Sequence, residues 1–186
     1  MLAVGERIYS VKEYFDLEAT SQIRHEFYYG KLTPMPGESQ NANTISLNCA
    51  FALKTGLKGK GYKVNAHDVR TIVKGGEIYR YPDVVVTPVN DISDSHALTQ
   101  PVLIIEVLSE NSVQIDRGIK LREYCSIPSL HYYLIIAQDQ KLVELYSRQD
   151  QKFIYSIFSS PEDTIELSFL GIALRMSEIY EDIKFG

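Results

Sequence analysis

Tryptophan is missing, and cysteine occurs only at positions 49 and 125 of the 186 residues. Neither cysteine has a CxxC partner or a histidine at zinc-like spacing. A disulfide scaffold and a structural zinc site are thereby excluded, and both thiols read as small hydrophobes in a reducing compartment. Long apolar runs are also lacking, since none approaches the roughly 18 residues of a membrane-crossing helix. The opening MLAVGERIYS carries an early charge and no apolar core, so no secretory signal is expected and the chain is predicted to be cytoplasmic. Positive charge is in short supply: 19 lysines and arginines face 24 acids, for a net charge of −5. That argues against a surface coated with basic residues for tight non-specific nucleic-acid binding. A local basic groove stays open, because the acids of a metal site add negative charge that a bound cation offsets. No P-loop and no G-x-S-x-G elbow occurs. His25, His67, His96 and His131 share no segment and no HxxxH spacing, and are expected at the surface or as satisfied core residues.

What is present is enough apolar sequence, 45% of residues, for one domain spanning 1–186 with a real core. Ser10 and Glu13 fit a capping box, so a short helix should run to about Glu18. Residues 23–35 read as a hairpin turning at Gly30-Lys31, with Pro34 and Pro36 marking a sheet edge. Residues 39–57 are expected to be helical, with Ile45, Cys49, Ala52 and Leu53 on one stripe. Strands are predicted in 62–73 as two pieces, over 79–87, and over 102–108; the polar loop VNDISDSHALTQ separates the last two. A helix over 112–126 ends before Pro128, and LHYYLIIA follows as a buried strand. KLVELYS and KFIYSIF form a meander, and the tail gives a last strand and a short helix after Ser177. This order predicts a mixed α/β domain, a central sheet with helices on its sides.

The stretch 81–124 carries the chemistry. Asp83 opens the run Val84-Val85-Val86, and Glu106 interrupts Val102-Leu103-Ile104-Ile105 and Val107-Leu108. A carboxylate in a strand that otherwise reads as core is costly unless a cation or a metal compensates it. Adjacent strands would let Asp83 and Glu106 converge on one ion. Asp116, Lys120 and Tyr124, at i, i+4 and i+8, share one face of the helix that follows. The plainer reading of that stripe is a solvated helix face with one helpful Asp–Lys pair. Placed directly after the Glu106 strand, it instead offers a lysine to two acids, a set suited to metal-assisted phosphodiester hydrolysis.

YPDVVV, PVLIIEVLSENS, DRGIKLREY and IPSLHYYLII together resemble the Uma-type endonuclease family of the PD-(D/E)XK, restriction-endonuclease-like superfamily. The motifs extend from Glu26 to about Ile136. The resemblance implies a restriction-endonuclease-like α/β/α core with a central mixed sheet. It implies Mg²⁺ or Mn²⁺ held by Asp83, Glu106 and the backbone carbonyl of Val107, with Glu26 ordering the site from the hairpin. The superfamily lysine stands two residues after the second acid, where this chain has Leu108; Lys120 matches the lysine of the family's D-R-x-x-K-x-x-x-Y pattern instead. A histidine common near the start of the second helix is replaced by Gln40-Asn41-Ala42-Asn43. Asp116 and Tyr124 are expected to hold Lys120.

The expected activity is a metal-dependent endonuclease acting on DNA, as a homodimer with the C-terminal meander at or near the interface. A rival is a non-enzymatic DNA-binding or interaction module in which Glu106 and Lys120 pair without metal. A third reading is a hydrolase of smaller phosphodiesters.

Overall fold

The strand-forming stretches divide between two sheets, and the break falls at Pro82. The computed structural model describes residues 7–35, 37–91, 97–108 and 115–185. Helix α1 (Val11–Glu18) begins with the capping box of Ser10 and Glu13 formed in both directions. Strands β1 (His25–Tyr28) and β2 (Lys31–Pro34) form the predicted hairpin, and α2 (Gln40–Gly56) is the predicted long helix. Next come β3 (Tyr62–Ala66), β4 (Thr71–Lys74), β5 (Ile78–Arg80), β6 (Val84–Pro88) and β7 (Leu103–Leu108). A π-helical segment, Ile115–Lys120, runs into α3 (Leu121–Cys125). The chain ends with β8 (Tyr132–Ala137), β9 (Val143–Gln149), β10 (Lys152–Phe158), β11 (Thr164–Leu167), β12 (Ile172–Arg175) and α4 (Met176–Ile179).

The central sheet has six strands in the order β10-β9-β8-β7-β6-β3. Its neighbours are antiparallel except β7 and β8, which are parallel, so the sheet is mixed as expected. One face packs on α2 and the C-terminal elements: Ile45, Cys49 and Leu53 bury against Val84, Val86 and Ile105. On the other face Val85, Ile104, Leu108 and Tyr133 meet Tyr124 and Ile127. Each such Leu, Ile or Val side chain taken from water stabilises the fold by about 1.5–3 kcal/mol. The second sheet has four strands, β2-β1-β5-β4, and carries α1 through Tyr14, stacked on Phe27 and tilted against Tyr79.

Several boundaries depart from the pattern reading. The run 79–87 is cut into β5 and β6, which belong to different sheets, because Pro82 lacks the N–H needed to continue a ladder. The two strand pieces of 62–73 also separate, β3 into the central sheet and β4 into the smaller one. The tail forms a hairpin rather than one strand, since Gly171 adopts φ +62° between β11 and β12. The short last helix starts at Met176. Residues 109–114, where the helix over 112–126 was expected to begin, and residues 92–96 of the expected polar loop, with His96, lie outside the described residues. No helix among the described residues is long and apolar enough to cross a membrane.

Candidate active site

Strand register brings the two acids of the apolar runs side by side. Val84 pairs with Ile105 in β6/β7, so one further step sets Asp83 opposite Glu106. Ala66 pairs with Val84 in β3/β6, so one further step on that side sets His67 opposite Asp83, and the His67 N–H donates to the Asp83 carbonyl at 3.0 Å. Asp83 therefore stands just before β6, flanked by a histidine on one side and an acid on the other. The turn that presents it is anchored by Tyr81, whose hydroxyl donates to Glu18 at 2.6 Å. Glu18, buried at the end of α1, also accepts from the His25 N–H at 3.0 Å, tying α1, β1 and this turn together.

Glu106 is 4% exposed, too little for water to solvate its charge, and its Oε1 accepts from Lys120 Nζ at 3.0 Å and from the Tyr124 hydroxyl at 2.7 Å. The same ammonium lies 3.1 Å from Asp116 Oδ1 and 3.3 Å from Glu26 Oε1. Those two oxygens are within ion-pair reach but lack hydrogen-bonding geometry. Glu26 is fixed from behind: Arg80 donates to its Oε2 at 2.6 Å and grips Glu123 through two bonds of 2.9 Å. Asp83 Oδ2 accepts from the Val107 N–H at 2.5 Å. Among the described residues nothing hydrogen-bonds to Asp83 Oδ1 or Glu106 Oε2. A cleft of about 440 Å³ is lined by Glu26, Glu38, Asp83, Glu106, Asp116 and Lys120, among others.

Burial dominates the protonation of the set. It pushes Asp83 up to about 7, opposed by the Val107 hydrogen bond and reinforced by the charge of Glu38. It also raises Glu106 well above the usual carboxylate range against the pull of Lys120, with Asp116, Asp83 and Glu26 adding repulsion. For Lys120 burial works the other way, yet the charges of Glu106, Glu26 and Asp116 outweigh it and hold the ammonium protonated. Glu26 is likewise opposed by burial but kept below its ordinary range by Lys120 and Arg80.

The structure thus brings Asp83, Glu106, Lys120, Glu26 and Asp116 to one cleft. Tyr124 reaches the cluster through Glu106 and makes no bond to the ammonium, a correction to its expected role of holding Lys120. Pattern reading missed Glu18, Arg80 and Glu123, and it missed a second group in the cavity that adjoins the cleft. Glu38, His67 and Asp83 each offer a ligand atom within 4.8 Å of the other two. Glu38 immediately precedes Ser39, the N-cap of α2, and His67 sits just past β3 with φ +50°. His25 lies 3.0 Å from Glu18 and His131 stacks on Phe169, but His67 Nε2 is buried with no hydrogen-bond partner among the described residues. The donor chemistry fits a divalent cation: carboxylate oxygens without a hydrogen bond among the described residues, and an imidazole in the adjoining cavity.

Comparison with known proteins agrees with the geometry. The chain is 28% identical over 177 residues to slr1290 and 31% identical over 176 residues to sll1609, two proteins of Synechocystis sp. both described as uncharacterized. These alignments cover 95% and 92% of this chain and 93% and 99% of the relatives. A crystal structure described as "a putative nuclease belonging to DUF820", from Anabaena variabilis, matches with a TM-score of 0.71 at 17% identity, over 92% of this chain and 97% of that one. That likeness shows the fold, a restriction-endonuclease-like mixed sheet between helices. The profile of the Uma2 family, described as "Putative restriction endonuclease", matches residues 11–177, and the chain belongs to that family.

Proposed function

We propose that this protein is a divalent-cation-dependent nuclease that hydrolyses phosphodiester bonds in DNA. The observation that carries the reading is the meeting of Asp83 and Glu106 from neighbouring strands with Lys120 against Glu106 at 3.0 Å, all lining one cleft. Mg²⁺ or Mn²⁺ held there supplies charge neutralisation at the phosphate and activation of a water. Asp83, Glu106 and, by family resemblance, the Val107 carbonyl are the ligands. Lys120 orients the water or donates to the phosphoryl oxygen on which charge develops. Glu26 and Asp116 hold the ammonium in place, Arg80 holds Glu26, and Tyr124 fixes the carboxylate of Glu106. The two free cysteines, Cys49 buried, fit a cytoplasmic setting.

A homodimer is part of the proposal. Strand β10 ends the central sheet, and Ile154, Tyr155 and Ile157 on it are exposed. Two copies related by a twofold axis would present one site to each strand of a duplex.

A second reading, a binding module without catalysis, is favoured by one fact: Lys120 and Tyr124 already satisfy Glu106 Oε1 with no metal. The test is incubation of plasmid and single-stranded DNA with Mg²⁺ or Mn²⁺ beside an Asp83→Ala control. Cation-dependent cleavage lost in the variant is the expected result. No cleavage of either DNA, with no divalent-ion binding by calorimetry, would favour the binding module.

A further inference from the structure

His67 lines a second cavity that shares Glu38 and Asp83 with the cleft, and the proposed chemistry leaves it unused. Its Nδ1 lies 3.2 Å from Glu38 Oε1, and its Nε2 is buried without a hydrogen-bond partner among the described residues. A spacing of 3.2 Å is close to that of two adjacent ligands on one octahedral ion, so a cation can take the place of this hydrogen bond and ligate both atoms. A ring nitrogen of His67, an oxygen of Glu38 and an oxygen of Asp83 all fall within 4.8 Å of one another. The three come from separate segments, the entry to α2, the end of β3 and the start of β6, so the cluster is a product of the fold and not of a local turn.

We infer that Glu38 and His67 join Asp83 in binding the cation of the proposed nuclease site, and that the imidazole makes the site prefer Mn²⁺-class transition ions over Mg²⁺. The inference rests on the metal-dependent reading above and goes beyond its ligand set. Magnesium favours oxygen donors and retained waters, whereas imidazole suits first-row transition ions. Asp83 is common to both sets, and Glu106 Oε1 stays with Lys120.

The experiment uses the full chain and Mn²⁺ alone. Electron spin-echo envelope modulation of bound Mn²⁺ should show coupling to one imidazole nitrogen in the wild type. The coupling should vanish in His67→Ala and His67→Gln. Calorimetry should find Mn²⁺ bound more tightly than Mg²⁺ by about 10-fold, with the gap largely closed in both variants. Mn²⁺ that binds without nitrogen coupling in the wild type overturns this inference and leaves the nuclease reading standing. Failure of the wild type to bind any divalent ion overturns both. Because the spectroscopic signature is read on the unmutated chain, a variant that fails to fold does not spoil the test.

Discussion

Lys120 Nζ meets Glu106 Oε1 at 3.0 Å across fourteen positions of sequence, and both groups are more than nine-tenths buried. One ammonium also faces Asp116 and Glu26, so it is the central counter-charge of the cluster. A buried pair deprived of one partner is strongly destabilised, because the remaining charges keep their desolvation cost. Lys120→Met should therefore destabilise the protein by about 3–5 kcal/mol at pH 8. The deficit should shrink at pH 5, as Glu106, already raised by burial, takes up its proton. Turnover should fall by at least ~10²-fold. Urea denaturation at the two pH values checks the first part, and an equal deficit at both would mean that Lys120 does not compensate these acids.

Asp83 yields a prediction with a definite sign. Its folded pKa is raised from 3.8 to about 7, chiefly by burial. Such a group contributes most to stability below its unfolded pKa, and the contribution is lost as pH rises from about 4 through about 7. In the absence of metal, Asp83→Asn keeps the acceptor for the Val107 N–H but cannot ionise. It should be more stable than the wild type at pH 8, by about 2–4 kcal/mol, and equal to it at pH 4. Thermal melts in chelator decide the matter, and a variant less stable at pH 8 would contradict the burial argument. The same proton competes with the cation, so Mn²⁺ affinity of the wild type should climb as pH passes through about 7.

Glu106 and Lys120 were legible in the sequence for physical reasons. An acid inside LIIEVL has no cheap explanation, and Asp116 and Lys120 at i, i+4 still pair although the segment is π-helical. A mixed domain with a central sheet and helices on its sides was legible too, from alternation and helical stripes. What pattern could not reveal is which sheet a strand joins, because β5 and β6 have the same apolar character and differ only through Pro82 between them. Glu38, His67, Arg80 and Glu123 were hidden for a related reason. Each acquires its role from a partner reached through tertiary register: Arg80 meets Glu123 across 43 positions, and His67 meets Glu38 across 29. Leu108, by contrast, packs in the apolar cluster on the Ile104 face, so that position offers the cleft no cation.

Arg80 should behave as a structural fork. It spans Glu26 and Glu123, both shielded from solvent, with three nitrogens engaged. Arg80→Ala strands two carboxylates and should cost about 3–5 kcal/mol. Arg80→Lys restores the charge but not the planar geometry, and should recover less than half of that loss. Denaturant titration of both variants checks this. Full recovery by lysine would show that charge alone, and not the fork, holds Glu26.

Assembly follows from the exposed end of the central sheet. Strand β10 has β9 on one side and, among the described residues, no strand on the other, an edge that can template pairing with another chain. Its apolar residues split into two sets. Phe153 and Phe158 turn inward onto the two core clusters, as Tyr146 does from β9, while Ile154 and Ile157 stay 43% and 56% exposed. Exposed isoleucines on an unpaired edge are costly in a monomer and match the apolar centre of an interface. Light scattering at tens of micromolar should therefore give twice the 21.2 kDa of one chain. Ile154→Asp with Ile157→Asp should yield a folded monomer, because neither side chain belongs to a core cluster. Phe153→Asp should instead lower stability, since it places a charge against the packed face that holds Tyr133 and Ile104. A mass of 21.2 kDa for the wild type would remove the dimer. A dimer that persists in the double isoleucine variant would move the interface away from β10.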